Sequence, residues 1–406
     1  AMGELGLDGS INSVLGALPA AIHANRQNLS FICPEAQGTE AAWAGDTLDI
    51  IAPKSLLSLM NHLMGRGQIP RPKVQERVSN HSVTLDMRDI KGQETAKRAL
   101  EITAAGGHNL LLLGPPGAGK SMLSARLPGL LPPLSAEEAL SVTMVHSLAG
   151  TLTEEGLVTA RPYRDPHHSA SLPALVGGGS KAKPGEVTLA HLGVLFLDEL
   201  PEFDRRVLEA LRQPIETGTV TVSRANAHVT YPAHFQLIAA MNPCRCGYLA
   251  DPSRACSRAP KCGQDYQAKI SGPLYDRIDL VLEVPAVSAM DLTLAPAKEG
   301  TAEIAQRVQR ARARQAERFS RQSTENLLNK PPVNASLEGE LLEKHCELEP
   351  DGQALIAEAA EQLNLSARGF HRLLRVARTI ADLENQDRIK RLHIAEALSF
   401  RRTALA

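Results

Sequence analysis

The residues that point most directly to chemistry follow the spacing G-x-x-x-x-G-K-S: Gly114, Pro115, Pro116, Gly117, Ala118, Gly119, Lys120 and Ser121. An apolar run, Leu110 to Leu113, precedes them, and a helical pattern begins near Met122. In this context the glycines let backbone N–H groups surround phosphate oxygens, and the helix start adds its positive dipole. Lys120 is then placed to neutralise the β and γ phosphates, and Ser121 to bind Mg²⁺. Residues 114 to 122 therefore predict a site for ATP and Mg²⁺, the alternative being a glycine-rich turn without phosphate.

Two carboxylates follow a second buried strand. Val194 to Leu197 is a continuous apolar run, and Asp198 and Glu199 come directly after it. Open α/β sheets bind ligands at the carboxyl ends of their strands. We therefore expect Asp198 to hold Mg²⁺ through water and Glu199 to polarise the water that attacks the γ-phosphate. Without the phosphate loop, the same pair would be interpreted as a solvated turn.

Three more polar residues stand at the ends of predicted elements. Asn242 follows the apolar strand Phe235 to Met241 and is suited to orient the same water. Arg277 immediately precedes an alternating strand, and Arg368 falls in the first turn of a helix that Ser366 is expected to cap. A cation there opposes the helix dipole, which suggests an anion that compensates it. Taken singly, each of the three is better explained as an ordinary cap or surface ion pair.

Four of the six cysteines form a cluster with the spacing C-x-C-x₉-C-x₅-C: Cys244, Cys246, Cys256 and Cys262. Because the N-terminus does not resemble a signal peptide, we expect a reducing, cytoplasmic environment, where clustered cysteines more often hold a metal than form disulfides. Four thiolates supply a tetrahedral set for structural Zn²⁺, although the first gap is shorter than usual. Two disulfides or free thiols are the alternatives. Cys33 and Cys346 are expected to be buried small hydrophobes.

The elements that position these residues divide into blocks. The chain has 406 residues, of which 43% are hydrophobic, and at roughly 150 residues per domain this suggests two or three globular domains. We expect an α/β fragment over 1–67, truncated at its N-terminus, a linker over 68–88, a wound parallel sheet over 89–290 and a helical domain over 291–406. No apolar run is long enough to span a membrane. The net charge of -1 leaves nucleic-acid binding to local basic surfaces.

The order of these motifs resembles that of the AAA+ ATPases. More narrowly, residues 90 to 400 resemble the magnesium-chelatase-like branch and, within it, the ComM (YifB) family of hexameric DNA helicases, which drive branch migration during natural transformation. The resemblance is carried by six strings of sequence: Asp165 to His168, Gly185 to His191, Gly193 to Phe203, Ala240 to Cys244, Gly272 to Asp279 and Ser366 to Arg372.

The resemblance implies a three-layer αβα P-loop NTPase core with a C-terminal helical lid. It implies that Asn242 is sensor 1, that Arg277 is an arginine finger given to the neighbouring subunit, and that Arg368 is the sensor 2 residue. We expect Arg368 to serve the nucleotide site of its own subunit. A finger that acts in trans requires an oligomer, expected to be a ring of six.

The first block resembles the C-terminal half of a Lon-protease-like domain, which has the ribosomal S5 domain 2-like fold. In Lon a catalytic Lys lies after a Gly-Gly turn, but the comparable stretch here, Val14 to Ala21, contains no Lys. We therefore expect no peptidase activity.

Two segments are candidates for DNA contact. Within residues 216–232 an alternating pattern predicts a hairpin, with Val220 and Val222 opposite Val229 and Tyr231. It resembles the family's pore hairpin and would carry Arg224 to phosphates. The insertion 161–190 contains a glycine stretch with two lysines, Lys181 and Lys183, and predicts a flexible loop that tracks a nucleic-acid backbone. A solvated loop with incidental charge is the alternative for each.

Two weaker features remain open. His167 and His168 are adjacent, and bonds to backbone carbonyls are favoured over metal binding. The helix over 301–321 carries arginines along one face, which predict either a DNA patch or, preferably, a solvated or subunit-facing surface. These arginines are Arg307, Arg310, Arg314, Arg318 and Arg321.

Together with these features, the resemblance implies an ATP-hydrolysing hexameric helicase or translocase that binds single-stranded and branched DNA and promotes branch migration. The rival is the ATPase subunit of a magnesium-chelatase-type metal-insertion complex, and a third possibility is an ATPase that remodels a protein partner. The nucleotide site is common to all three. The cysteine cluster and the Lon-like fragment favour the DNA motor.

Overall fold

A computed structural model describes residues 1–73, 85–152, 156–179, 182–224, 227–249, 256–287, 297, 299–320 and 331–401. For Arg224 and Ala227 it describes the backbone alone. Lys181 and Arg321, both singled out above, lie outside the described residues.

The first block is built from short elements around a small core. Its strands are β1 (Glu4–Leu5), β2 (Ile11–Asn12), β3 (Phe31–Ile32) and β4 (Ile50–Ile51), and its helices are α1 (Ala17–Arg26), α2 (Gly38–Ala42) and α3 (Leu56–Leu63). β3 and β4 pair in parallel, whereas β1 and β2 pair antiparallel. Between β3 and β4 the chain forms a 3₁₀ turn, Glu35–Gln37, followed by α2. Helix α3 has no buried residue, and four of its apolar side chains are exposed: Leu56, Leu57, Met60 and Leu63.

The second block contains a five-stranded parallel sheet, so the predicted α/β class with a parallel sheet is confirmed. The strand order is β13-β5-β12-β9-β6. The strands are β5 (Leu110–Leu113), β6 (Tyr163–Arg164), β9 (Val194–Leu197), β12 (Gln236–Met241) and β13 (Leu280–Glu283). β5, β9 and β12 are buried along their whole length, as parallel strands covered on both faces must be.

Helices flank this sheet and connect its strands. They are α4 (Glu94–Gly106), α5 (Lys120–Ser124), α6 (Leu127–Leu130), α7 (Ala136–Ala149), α8 (Leu172–Val176), α9 (Glu186–Leu189), α10 (Arg205–Ala210), α11 (Arg212–Thr217), α12 (Lys261–Gln267) and α13 (Gly272–Tyr275). Two small antiparallel pairs stand outside the sheet, β7 (Gly177–Gly178) with β8 (Lys183–Pro184) and β10 (Thr219–Arg224) with β11 (Ala227–Pro232).

The C-terminal block is helical, as predicted. Its helices are α14 (Thr301–Ser320), α15 (Gly339–His345), α16 (Pro350–Gln362), α17 (Ala367–Leu383) and α18 (Arg391–Ser399). Both α14 and α17 pack against α4 and share one continuous core with the sheet. Among the described residues, no helix combines the length and the apolar composition needed to cross a bilayer.

The arginine face of α14 is largely occupied by contacts within the chain. Arg307 pairs with Glu101 and Glu299, while Arg318 and Arg314 approach the fully buried carboxylate of Asp382 at 2.7 Å and 4.0 Å. The preferred expectation of a solvated or subunit-facing surface is therefore wrong for these three arginines. Arg307 binds the helical block to α4 of the core, and Arg314 and Arg318 bind α14 to another helix of the same block. Arg310 alone of the described four is exposed.

Candidate functional site

The phosphate loop lies where the sequence predicted it, between the C-terminal end of β5 and the start of α5. Its glycines meet two needs. Gly117 and Gly119 adopt left-handed backbone angles, φ 76° and φ 81°, which side chains other than glycine rarely tolerate. At Gly114 an added Cβ would lie 2.2 Å from the carbonyl oxygen of Val284, so the neighbouring strand excludes any larger residue.

Lys120 is held inside this loop by three acceptors. Its Nζ donates to the carbonyl oxygens of Gly114 at 2.7 Å and Pro115 at 2.9 Å, and to Oδ1 of Asn242 at 3.1 Å. Burial lowers the pKa of Lys120, while the charges of Asp198 and Glu199 act in the opposite direction. The ammonium group of Lys120 thus points into the phosphate loop, and Asn242 helps to hold it there.

Two oxygen ligands expected for Mg²⁺ are in contact. Ser121 Oγ donates to Asp198 Oδ2 at 2.7 Å. Two oxygens bound at right angles to one Mg²⁺, each at about 2.1 Å, are separated by roughly 2.9 Å. The residues present therefore fit a magnesium ion that bridges Ser121 and, directly or through water, Asp198.

Glu199 has a strained backbone, with φ 51° for a non-glycine residue. Its amide donates to Asp198 Oδ1 at 2.8 Å. Its Oε2 lies 3.5 Å from Nδ1 of His168. Backbone strain at this position is consistent with a side chain that must be placed for catalysis.

The segment after β6 also reaches the site, which the sequence reasoning missed. Asp165 has a raised pKa, caused first by burial and then by the charge of Asp198. His167 Nδ1 bonds Ser169 Oγ at 2.8 Å, and His168 approaches Glu199, so neither histidine follows the favoured expectation of bonds to backbone carbonyls. No metal cluster within the described ranges includes them. The feature that could have revealed this contact is the parallel pairing of β6 with β9, which brings the carboxyl end of β6 to the same sheet edge as Asp198 and Glu199.

Arg277 and Arg368 lie at the opposite edge of the sheet. The side-chain amide of Asn109, the residue before β5, donates to the carbonyl oxygen of Arg277 at 2.9 Å. Arg277 contacts the carboxylate of Glu216, and Arg368 lies 3.7 Å from the same carboxylate. From Asn109 to Gly114 the strand advances about 16 Å at 3.3 Å per residue, farther than an arginine side chain extends. The expectation that Arg368 serves its own subunit's nucleotide is therefore wrong.

The helix that carries Arg368 is fixed at this edge. Ser366 caps it as predicted, its Oγ accepting from the Gly369 amide at 3.1 Å. One turn later, Arg372 donates to the carbonyl oxygen of Ile278 at 2.5 Å and to Asp276 at 3.3 Å. Both Arg277 and Arg368 line a cleft of about 650 Å³. The anion expected at this helix start is the Glu216 carboxylate.

The cysteine loop (243–265) brings its four thiols together. The Sγ atoms of Cys244, Cys246 and Cys262 lie within 4.8 Å of one another, and Cys256 lies 3.2 Å from Cys262. All six cysteines of the chain are described, and all are free thiols, so the disulfide alternative finds no support. The pKa of Cys246 is lowered to about 7, mainly by hydrogen bonding with Cys244. Cys33 and Cys346 are buried, as predicted, and burial raises the pKa of each to about 12.

The two predicted DNA elements pack on each other. In the β10–β11 hairpin, Val220 pairs with Tyr231 and Val222 with Val229, which confirms the predicted register. Tyr231 Oη donates to the Ala182 carbonyl at 2.7 Å. The glycine stretch is not a structureless loop, since Gly177 and Gly178 pair with β8. The insertion and the hairpin therefore form one unit.

Comparison with known proteins identifies the family. The family described as magnesium chelatase, subunit ChlI, matches residues 86–292, and that described as its C-terminal domain matches residues 298–401. The competence protein ComM of Haemophilus influenzae is 42% identical over 403 residues, 98% of this chain and 76% of that protein. YifB of Salmonella typhimurium is 45% identical over 401 residues, again 98% of this chain and 76% of the relative. The chain belongs to the YifB/ComM family.

Membership also accounts for the nucleotide site, because proteins of this magnesium-chelatase type are AAA+ ATPases. Similarity to a magnesium chelatase itself is more limited. The magnesium-chelatase 38 kDa subunit of Rhodobacter capsulatus is 30% identical over 171 residues, which is 38% of this chain and 49% of that subunit. This YifB/ComM protein therefore shares the ATPase fold of the chelatases and is similar to the YifB and ComM proteins over nearly its whole length.

Proposed function

We propose that this YifB/ComM protein is an ATP-dependent, ring-forming DNA helicase that promotes branch migration in homologous recombination during natural transformation. The observation that carries the motor part of the proposal is the division of the catalytic groups between two edges of one sheet. The DNA part is supported by the packing of the two hairpins and by the similarity to a competence protein.

The hydrolytic half of the proposal assigns a role to each residue at the C-terminal sheet edge. Lys120 neutralises the β and γ phosphates, and Ser121 and Asp198 hold Mg²⁺, which when bound adds positive charge beside the transferring phosphoryl group. Glu199 accepts a proton from the attacking water. Asn242, bonded to Lys120 at 3.1 Å, orients that water and keeps the lysine in place.

In this proposal, the arginine charge that stabilises the transition state of hydrolysis comes from another subunit. Arg277 and Arg368 share the Glu216 carboxylate at the far edge, so neither reaches the phosphates bound by its own chain. In a head-to-tail ring the far edge of one protomer faces the nucleotide of the next. We assign both arginines to the neighbour's γ-phosphate, in a homo-hexamer, where they stabilise the charge that develops during hydrolysis.

The hairpin unit is the proposed contact with DNA. Its inner face is apolar and buried through Val220, Val222 and Tyr231. Its outer face carries exposed polar side chains, among them Thr221, whose hydroxyl lies 3.0 Å from that of Thr230. Hydroxyls and lysines of this kind bind phosphates without reading bases. Lys183 is exposed on β8, and we keep Arg224 and Lys181 as further proposed contacts.

The insertion offers a short route from DNA to the catalytic base. His168, beside Glu199, precedes the Gly177–Gly178 strand by nine residues, and helix α8 lies between them. Arg164 and Glu186 join the two ends of the same insertion through a salt bridge of 2.6 Å. A displacement of the glycine hairpin is thus transmitted to the side chain that touches Glu199.

The test is ATP hydrolysis with and without single-stranded and forked DNA, followed by a three-strand branch-migration assay. We expect DNA to stimulate hydrolysis and ATP to be required for strand exchange. A Lys183→Ala variant should lose part of the stimulation, whereas Lys54→Ala, an exposed lysine of the first block paired with Glu35, should not. If no form of DNA stimulates hydrolysis, the result would favour the alternative function, a metal-insertion ATPase of the magnesium-chelatase type. The family description that matches residues 86–292 supports this alternative.

The proposed cofactors are ATP, Mg²⁺ and one structural Zn²⁺. The first two follow from the phosphate loop and the carboxylates. The Zn²⁺ is proposed to bind separately, at the four thiols of the cysteine loop.

A further inference from the structure

We propose that the four thiols of the cysteine loop bind one Zn²⁺ and that the metal-bound loop supports the phosphate loop from behind, so that zinc occupancy sets the affinity for nucleotide. The inference rests on the proposed nucleotide site at Lys120. It is independent of the proposed action on DNA.

The donor set fits zinc. In a tetrahedral site with Zn–S bonds of about 2.3 Å, the sulfur atoms lie about 3.8 Å apart. The Sγ atoms of Cys244 and Cys246 are closer than this, at 3.0 Å, and those of Cys244, Cys246 and Cys262 all lie within 4.8 Å of one another. Cys256 completes the group through contacts with Cys262 at 3.2 Å and with Cys246. Four sulfur donors and no oxygen donor select a thiophilic metal over Mg²⁺ or Ca²⁺.

A metal is also what this part of the chain needs for a fixed conformation. Between the end of β12 and the start of α12, the described residues contain no helix or strand. Cys244 and Cys246 belong to the first stretch of the loop, and Cys256 and Cys262 to the second. A bound ion would join the two stretches, and in such sites the free energy of binding is available for ordering the chain.

The end of β12 and the first stretch of the cysteine loop contact the phosphate loop at three points. The Gly114 amide donates to the Met241 carbonyl at 3.1 Å, and Lys120 donates to Asn242. Beyond these, Gly247 lies so close to Pro116 that a Cβ added at Gly247 would be 2.5 Å from Pro116 Cδ. The third contact lies one residue beyond a zinc ligand. Fixing the ligands therefore fixes the surface against which the phosphate loop rests.

The turn that makes this contact is itself tied to the cluster. The Gly247 amide donates to the Cys244 carbonyl at 3.0 Å, and Gly247 has φ 85°. On the other side, Gln267 of α12 donates to the Pro243 carbonyl at 2.8 Å. Cys244, fully buried, lies between these two contacts. In the described parts of the loop, 243–249 and 256–265, the two sides of this support meet at the thiols.

The first experiment measures zinc content by elemental analysis and the Kd of a fluorescent ADP analogue on the full chain. We expect about one zinc per chain in the wild type. Cys262→Ser should lose the metal and raise the nucleotide Kd at least fivefold, the lower end of the roughly 5- to 150-fold range typical of coupled sites. Cys346→Ala is the matched control, because Cys346 is a buried thiol outside the cluster, and it should change neither value.

A second variant keeps all the cysteines, so that loss of folding in the first cannot obscure the result. Gly247→Ala adds a methyl group against Pro116 and should raise the nucleotide Kd while zinc stays bound. Gly9→Ala is its control, because Gly9 has φ 84° but no atom within 4 Å of an added Cβ. It imposes the same backbone strain without a contact and should leave the Kd unchanged.

Wild-type protein with no zinc, or zinc-free protein that binds nucleotide as tightly as the loaded form, would overturn the inference. An unchanged Kd in Gly247→Ala would overturn the support of the phosphate loop. Failure of the helicase proposal has a different signature: protein that holds zinc and binds nucleotide with the expected coupling, yet is not stimulated by DNA.

Discussion

The two edges of the central sheet carry different sets of charged residues, which the proposed mechanism joins into one catalytic apparatus. At the C-terminal edge, buried strands end in the phosphate loop, the Asp198–Glu199 pair and Asn242, and the phosphate loop bonds Asn242 through Lys120 and Asp198 through Ser121. At the N-terminal edge, Arg277 and Arg368 share the carboxylate of Glu216. The first edge is assembled within a chain, whereas the second holds cations that nothing in their own nucleotide site can use.

Under the proposed mechanism, the difference between the edges explains why one chain is not sufficient. An arginine bonded to its own Glu216 adds nothing to hydrolysis until a neighbouring nucleotide competes for it. Joining two protomers edge to edge places a triphosphate where that competition occurs. Assembly and catalysis are thus linked by the positions of the side chains, and variants at the two edges should fail in different ways.

The largest effect is expected from Arg277→Ala. Removing an arginine that stabilises transition-state charge lowers kcat by about 10³-fold or more, while the nucleotide Kd should hardly change. Steady-state ATPase assays and equilibrium binding measure the two quantities. Arg388→Ala, which removes an exposed arginine paired with Glu347, is the control. A matching loss of binding in Arg277→Ala would place Arg277 in its own chain's site.

At the opposite edge, Glu199→Gln should lower the rate of hydrolysis by about 10²- to 10⁴-fold, because an amide cannot accept the proton of the attacking water. Binding of ATP should be retained, since Lys120 and Ser121 are untouched. Single-turnover hydrolysis separates the chemical step from binding, and Glu358→Gln on exposed α16 serves as the control. Hydrolysis at the wild-type rate would show that Glu199 is not the base.

Asp382→Ala should reduce stability by about 3 to 5 kcal/mol, because it leaves Arg318 and Arg378 buried without their partner. The loss concerns the helical block that carries Arg368. Urea unfolding gives the change. Asp387→Ala removes a carboxylate that is 95% exposed and pairs with Arg314, so it should cost about 1 kcal/mol or less. Equal costs for the two variants would contradict the buried network.

The smallest effect concerns pH. Hydrogen bonding from Arg277 holds the pKa of Glu216 below its usual value of 4.5. The folded state therefore gains stability from this carboxylate above its usual pKa, and the gain disappears as the pH falls through the lower folded pKa. Unfolding of the wild type and of Glu216→Gln, compared at pH 7 and at pH 3, should differ more at the higher pH than at the lower. An equal difference at the two pH values would contradict the ion pair.

Sequence patterns predicted the parts of this molecule that depend on local spacing. The phosphate loop, the β10–β11 register and the cap at Ser366 each follow from a few neighbouring residues. Relations between distant elements were harder to predict. Nothing local in the Ser366–Arg372 string shows that α17 docks at residues 275–278, which is what separates Arg368 from Lys120. Likewise, the contact of His168 with Glu199 depends on the pairing of β6 with β9.

The first block illustrates the same limit. Its strands have two residues each, too short for a period-two pattern, and two of them, Ile11–Asn12 and Ile50–Ile51, went unpredicted. The Lon-like identity of this block stays a prediction.

Subunit mixing tests the shared site most directly. Lys120→Ala and Arg368→Ala proteins, each impaired alone, are combined in equal amounts under conditions that allow rings to reassemble, and ATP hydrolysis is measured. If Arg368 serves the next protomer, about a quarter of the junctions pair an intact loop with an intact arginine, and activity returns. A mixture of Arg277→Ala with Arg368→Ala should stay impaired, since no protomer then offers both arginines. Recovery in the second mixture and none in the first would contradict the account.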